Sequence, residues 1–210
     1  MSEFLQPLVT SFQVYLASMA WLELSGLTSG LLCVWLLIRQ NIWTFPIGLF
    51  YSVVSVVVFT QERLYADVLL NGYYVAMNGY GWYYWLYGGR QRPADRLPVT
   101  FTPVQTRWIL AALVTASTLT MGWFLDNRTD ADLPYWDSAT TTMSFAAMWM
   151  TARKYIDNWI VWLVVDIIAT GMYIFKGIEF YAVLYGVYLF MAVAGWRAWK
   201  RSMNLASSSA

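Results

Sequence analysis

The chain has 210 residues, of which 59% are hydrophobic and 12% charged, and a formal net charge of +1. That charged share is about half the value for an ordinary soluble domain, and a globule this apolar would expose more greasy surface than water tolerates. Composition therefore excludes a soluble protein and makes a lipid bilayer the first partner. Histidine is absent and Cys33 is the only cysteine, so the commonest general base and metal ligand is missing, as are an internal disulfide and a thiolate cluster. No cofactor, metal or nucleic acid is expected.

Apolar runs divided by charged and turn residues predict an all-α integral membrane protein of about seven transmembrane helices. The segment before Ser18 is short and interrupted by Pro7, so it is expected to lie on the membrane surface. No basic stretch with a small-residue cleavage site opens the chain, and the first span is expected to serve as its own insertion signal. The predicted spans are Ser18 to Ile38, Ile42 to Thr60, Leu64 to Tyr87, Trp108 to Leu125, Trp136 to Met150, Trp159 to Phe175 and Phe180 to Trp196, against about 20 residues for a full crossing. Pro46 and Gly48 predict a kink or a broken start in the second span. The tail beyond Lys200, ending in Ser207, Ser208, Ser209 and Ala210, is expected to be disordered.

Basic residues fall unevenly on the two sides of these spans. Arg39, Arg90, Arg92, Arg96, Arg107, Arg153, Lys154, Arg197, Lys200 and Arg201 share one side, and Arg63, Arg128 and Lys176 the other. The positive-inside rule then places the amino terminus outside and the carboxyl terminus in the cytoplasm. Self-comparison at an offset of 116 aligns Trp43 with Trp159, Phe59 with Phe175, Tyr65-Ala66 with Tyr181-Ala182, and Gly79 with Gly195. The first three helices (18–87) would then repeat in the last three (136–200), with the fourth (108–125) as connector. This is a 3+1+3 arrangement of two parallel three-helix repeats, able to rock about a central cavity; the competing explanation is chance matching among aromatic-rich helices.

Asn71, Tyr74, Asn78, Trp82 and Trp85 share one face of the third helix at 100° per residue. Two amides in a span need a helix partner or a polar cavity. They either contact a ligand or fasten helices together, with Gly72, Gly79 and Gly81 allowing close packing. Asp166 lies deep in the sixth helix, followed on its face by Thr170 and Tyr173. A carboxylate there costs at least about 2.5 kcal/mol, so it should face a cavity, a cation or the hydroxyls of Thr140, Thr141, Thr142 and Ser144 in the fifth helix. Glu23 and Asp67 lie close to helix ends, where a carboxylate reaches water. Among the tryptophans, Trp21, Trp43, Trp136, Trp159, Trp196 and Trp199 suit interfacial belts, whereas Trp82, Trp85, Trp149 and Trp162 are candidates for stacking on a flat ring, cationic rings included.

The stretches Trp43-Thr-Phe-Pro-Ile-Gly, Leu64-Tyr-Ala, Tyr80-Gly-Trp-Tyr-Tyr-Trp85, Trp136-Asp-Ser138, Thr151-Ala-Arg-Lys-Tyr155 and Asn158-Trp-Ile-Val-Trp162 occur in the order found in the Pnu family of bacterial B-vitamin precursor transporters, which the chain resembles over nearly all seven spans. The resemblance implies a fold related to the SWEET sugar transporters, a homotrimer in the bacterial inner membrane, and facilitated diffusion of a substrate trapped inside by phosphorylation. Nicotinamide riboside is the first substrate it implies and thiamine the second; other members carry riboflavin or deoxynucleosides. Asn71, Tyr74, Asn78, Trp82, Trp162, Asp166, Thr170 and Tyr173 would form the substrate site. A membrane enzyme using Asp67, Asp137 or Asp166 would need paired carboxylates or metal ligands that the sequence lacks, and a non-transporting scaffold is the remaining alternative.

Overall fold

The computed structural model describes residues 21–61, 65–88 and 97–208. These residues form seven helices: α1 (Trp21–Ile38), α2 (Thr44–Gln61), α3 (Tyr65–Tyr87), α4 (Val104–Arg128), α5 (Pro134–Ala152), α6 (Asn158–Phe175) and α7 (Glu179–Ser208). The surface segment before Ser18, the start of the first span, Arg63, and the side chains of Trp21, Glu23 and Asp67 lie outside the described residues. Helices α2, α4, α6 and α7 are long and apolar enough to cross a membrane, and α1 adds the shorter apolar stretch Gly26–Ile38. Helices α3 and α5 fall outside that set because asparagines, tyrosines and glycines in α3, and threonines and serines in α5, take the place of aliphatic residues.

Several helix ends depart from the expectation, each for a local reason. Pro46 falls in the first turn of α2, where a missing N–H costs nothing, so it starts the helix instead of breaking it. Pro134 does the same for α5, which extends beyond the predicted Trp136–Met150. Helix α4 continues past Trp108 and Leu125 in both directions. The largest difference is α7, which remains helical to Ser208 where a disordered tail was expected. Just before that tail, the Trp199 side chain is fully buried and its indole N–H donates to Leu37 O at 3.0 Å. Trp159, at 2% exposure, is equally interior. These two tryptophans belong to the core and not to an interfacial belt, whereas Trp43 (62% exposed) and Trp136 face outward.

Helix α3 runs along α2, α7 along α6, α5 packs on α4, α6 and α3, and α1 contacts α2 and α7. Corresponding features recur 114 positions apart, not 116. Ile38 and Ala152 end helices, Thr44 and Asn158 start them, Gln61 and Phe175 end them, and Tyr65 and Glu179 start them. Among the described residues, Gln40 and Lys154 are the non-glycine residues with positive φ, 53° and 60°. Each follows a matching pair of turn hydrogen bonds, Gln40 N to Leu37 O with Asn41 N to Leu36 O, and Lys154 N to Thr151 O with Tyr155 N to Met150 O, the αL termination common at helix ends. The 116 register slips because the Tyr-Ala match between α3 and α7 is local, while helix ends and turns are set by backbone geometry.

The same 114 spacing orders the core. Phe45 meets Trp85 edge-on at 5.0 Å and Trp159 meets Trp199 edge-on at 5.6 Å, while Trp85 and Trp199 face each other at 5.9 Å. Trp85 Nε1 donates to Thr151 O at 3.3 Å, as Trp199 Nε1 donates to Leu37 O. Glycines make room for the edge rings: a Cβ on Gly81 would stand 2.3 Å from Phe45, and one on Gly195 2.5 Å from Trp159. Nothing lies within 4 Å of a Cβ on Gly79. Replacement of Gly81 or Gly195 by Ala should therefore destabilise by about 1–3 kcal/mol through overpacking, whereas Gly79→Ala should be neutral or stabilising by up to about 1 kcal/mol through helix propensity. Melting of the three detergent-solubilised variants checks this, and a 116 register would make Gly79 and Gly195 behave alike.

Candidate functional site

Directly beside this aromatic cluster lies a cavity of about 280 Å³ to which every helix except α4 contributes. Helix α1 presents Ser29, Gly30, Cys33 and Leu37; α2 presents Gly48, Tyr51 and Ser52; α3 presents Tyr74 and Asn78. From the second half come Ser144, Met148 and Thr151 of α5, Trp159, Trp162 and Asp166 of α6, and Tyr185, Tyr188 and Ala192 of α7. The 114 spacing reaches into the walls, since Gly30 and Ser144, Leu37 and Thr151, Gly48 and Trp162, Ser52 and Asp166, Tyr74 and Tyr188, and Asn78 and Ala192 all line it. One polar or aromatic wall is thus built twice, with different chemistry on the two sides.

Asp166 is the acidic residue of this cavity. It is buried, and its carboxylate makes no ion pair or side-chain hydrogen bond among the described residues. The threonines expected to bind it are engaged elsewhere: Thr140 and Thr142 donate to carbonyls one turn back in α5, and Thr142 also meets Thr118 of α4 at 2.7 Å. Ser144 is the member of that group on the cavity wall. Thr170 donates to the backbone carbonyl of Asp166 at 2.7 Å, so it supports α6 and does not line the cavity.

Asn78 donates through Nδ2 to Tyr74 O at 2.9 Å, which fixes its amide plane. A Cβ on Gly48 would lie 2.5 Å from Asn78 Oδ1, so that glycine is what lets the amide sit against α2. Trp162 Nε1 donates to Thr151 Oγ1 at 3.3 Å, and Thr151 in turn donates to Ala147 O at 2.9 Å. The Trp162 ring is thereby held at the wall by one hydroxyl. These contacts leave a preformed box with a carboxylate, an oriented amide, phenols and indoles, suited to a flat polar ring.

The other expected site residues fall outside the box. Asn71 is buried but off the cavity wall. Trp82 is 38% exposed, because the close approach of Phe45 to Gly81 turns the buried arc of α3 toward Asn71, Asn78 and Trp85 and leaves Trp82 at its edge. Tyr173 stacks on Tyr181 at 5.2 Å and lies 5.2 Å from Tyr185, joining the box through Tyr185 and not directly. Trp85 is part of the core cluster. Trp149 lines a separate, mostly apolar groove of about 880 Å³ between α3, α4 and α5. Sequence reasoning missed the walls from α1, α2 and α7; the tyrosines at 185 and 188 could have been found by carrying α3 forward 114 positions, whereas Gly30, Cys33, Gly48 and Ser52 carry no sequence signal of their own.

A multi-pass helical membrane protein with an aromatic cavity that carries a few polar groups is the class these features define. The family model described as nicotinamide mononucleotide transporter matches residues 20–201, and the chain belongs to that family. The nicotinamide riboside transporter PnuC of Escherichia coli K12 is 28% identical over 91% of this chain and 90% of that protein. The riboflavin/roseoflavin transporter RibM of Streptomyces davaonensis is 23% identical over 90% and 89% respectively. A crystal structure of the vitamin B3 transporter PnuC superposes with a TM-score of 0.69 at 20% identity, covering 96% of this chain and 89% of the other; that likeness concerns the fold.

The geometry at Gly48 gives a direct test of the box. Gly48→Ala should force the Asn78 amide out of its plane and weaken binding of any cavity ligand about tenfold, about 1.4 kcal/mol. Isothermal titration against the ligand checks it, and unchanged affinity would show that the Asn78 amide is not used.

Proposed function

We propose that this protein takes up a ring-containing B-vitamin precursor, with nicotinamide riboside as the first candidate, across the bacterial inner membrane by facilitated diffusion. The observation that carries the reading is Asp166 lining an aromatic cavity with no cationic side chain in its wall and no ion pair among the described residues. Nicotinamide riboside has a fixed positive charge on a flat pyridinium ring. The carboxylate and the faces of Trp162, Tyr74 and Tyr188 would complement it, with cation–π attraction of about 2 kcal/mol in a desolvated site. Asn78 would read the carboxamide or ribose edge. Thiamine, also a fixed ring cation, fits the same chemistry. The relative named as a riboflavin transporter supports a neutral flavin as another reading, but a cavity near the low end of ligand-pocket volumes favours the smaller cations over a three-ring system.

The same reading includes alternating access between two three-helix halves, α1–α3 and α5–α7, joined by α4. It is supported by the 114-residue spacing of helix ends, turns and cavity walls, and by the absence of α4 from the cavity. The amino terminus outside, the carboxyl terminus in the cytoplasm and the homotrimer belong to this proposal through the charge count and the family resemblance.

Uptake of labelled nicotinamide riboside, thiamine and riboflavin into proteoliposomes tests the substrate. Asp166→Asn should weaken uptake of the cationic solutes tenfold or more, about 1.4 kcal/mol or above, and leave a neutral flavin nearly unaffected. Uptake of none of the three, or equal loss for cations and flavin, would remove the assignment.

A further inference from the structure

At the end of the cavity lined by Leu37 and Thr151, two reciprocal bonds join the helices. Trp85 of α3 donates its indole N–H to Thr151 O at the end of α5, and Trp199 of α7 donates its indole N–H to Leu37 O at the end of α1. Trp85 and Trp199 are 114 positions apart, and so are their acceptors. Each bond therefore crosses from one half to the other, and the two are related by exchange of the halves. The rings contact each other at 5.9 Å, both side chains are buried, and the acceptors Leu37 and Thr151 themselves line the cavity.

We propose that Trp85 and Trp199 form a reciprocal clasp that closes the cavity at the end of the bundle where α1 and α5 terminate, and that opening toward that side requires both crossed N–H bonds to break. The inference rests on the transporter reading, since a gate has meaning only where a solute passes. A buried N–H without an acceptor is costly, so partial opening is disfavoured and the two bonds separate together. The clasp lies between halves, and nothing within either half needs to unfold for it to release. Lys154 covers the outer face of the clasp, with Nζ 4.5 Å from the centre of the Trp85 ring and donating to Leu97 O at 2.7 Å.

Cys33, the one cysteine of the chain, lines the cavity and is a built-in reporter that needs no substrate. The experiment places the full chain in vesicles with the carboxyl-terminal end facing the medium and measures alkylation of Cys33 by a charged, membrane-impermeant thiol reagent. Trp199→Phe keeps a ring and removes the N–H, and should raise the labelling rate about tenfold over the wild type. Trp85→Phe should act alike because its bond is the counterpart, and Trp108→Phe on the outward face of α4 should change nothing. Native-like melting with unchanged Cys33 labelling in both clasp variants would overturn the proposal. If Trp199→Phe does not fold, Trp85→Phe decides the question alone. Increased labelling together with no uptake of any vitamin would leave the clasp standing and remove the substrate reading, whereas normal uptake with unchanged labelling would do the reverse.

Discussion

The ends of α1 and α5 set the constraint on which the remaining structure depends. A helix that stops inside a bundle leaves carbonyls in need of donors, and each carbonyl oxygen has two lone pairs to satisfy. At Leu37 and Thr151 one lone pair is taken by the amide of the left-handed residue that follows, Gln40 or Lys154, and the other by an indole N–H from the opposite half. Tryptophan is suited to this position because one side chain brings a large apolar surface and a single donor. Helix α7 continues into a polar segment in order to deliver Trp199, and α3 delivers Trp85 in the equivalent place.

The cavity lies against that end of the bundle, with Leu37 and Thr151 in its wall. Its walls combine groups that are costly in lipid with residues small enough to accommodate them. Gly48 admits the Asn78 amide, and Gly30 admits Tyr188, whose hydroxyl would stand 2.9 Å from a Cβ at that position. Gly81 and Gly195 admit the edge rings that flank the clasp. The glycines are therefore not a generic helix-packing stripe; each lies opposite one particular ring or amide.

The two halves are alike in register but not in anchoring. The α5–α6 turn is tied to the segment preceding α4: Thr100 exchanges backbone hydrogen bonds with Lys154 and Ile156, Thr102 N donates to Asp157 at 2.7 Å, and Arg107 pairs with Asp157 at 3.2 Å. Among the described residues the α1–α2 turn has no such strap; Arg39 lies over Trp35 and Asn41 caps the Trp43 amide within the turn itself. Helix α4 and its leading segment thus fasten one half specifically. Of the buried polar side-chain atoms without partners among the described residues, Thr102 Oγ1, Arg153 Nε and Asn158 Oδ1 belong to this strap and the turn it holds, so the tight connection is made at some cost in hydrogen bonding.

The sequence by itself determined the membrane class, the helical content and the order of the helices, and it singled out Asn78, Trp162 and Asp166, which line the cavity, because apolar runs and isolated polar residues within them are local signals that lipid makes costly to violate. It also pointed to a repeat at an offset of 116, whereas helix ends and turns recur at 114, since side-chain identities drift while turn geometry does not. Only the tertiary structure decided which tryptophans are buried. Trp159 has the same helix-start position as the exposed Trp43 and Trp136, and what separates it and Trp199 from them is a glycine or a carbonyl contributed by a distant helix. The cavity walls from α1, α2 and α7 were hidden for the same reason: glycine, serine and cysteine have no periodic or compositional signature, and they acquire a role only when the fold brings them opposite Asn78 and Asp166.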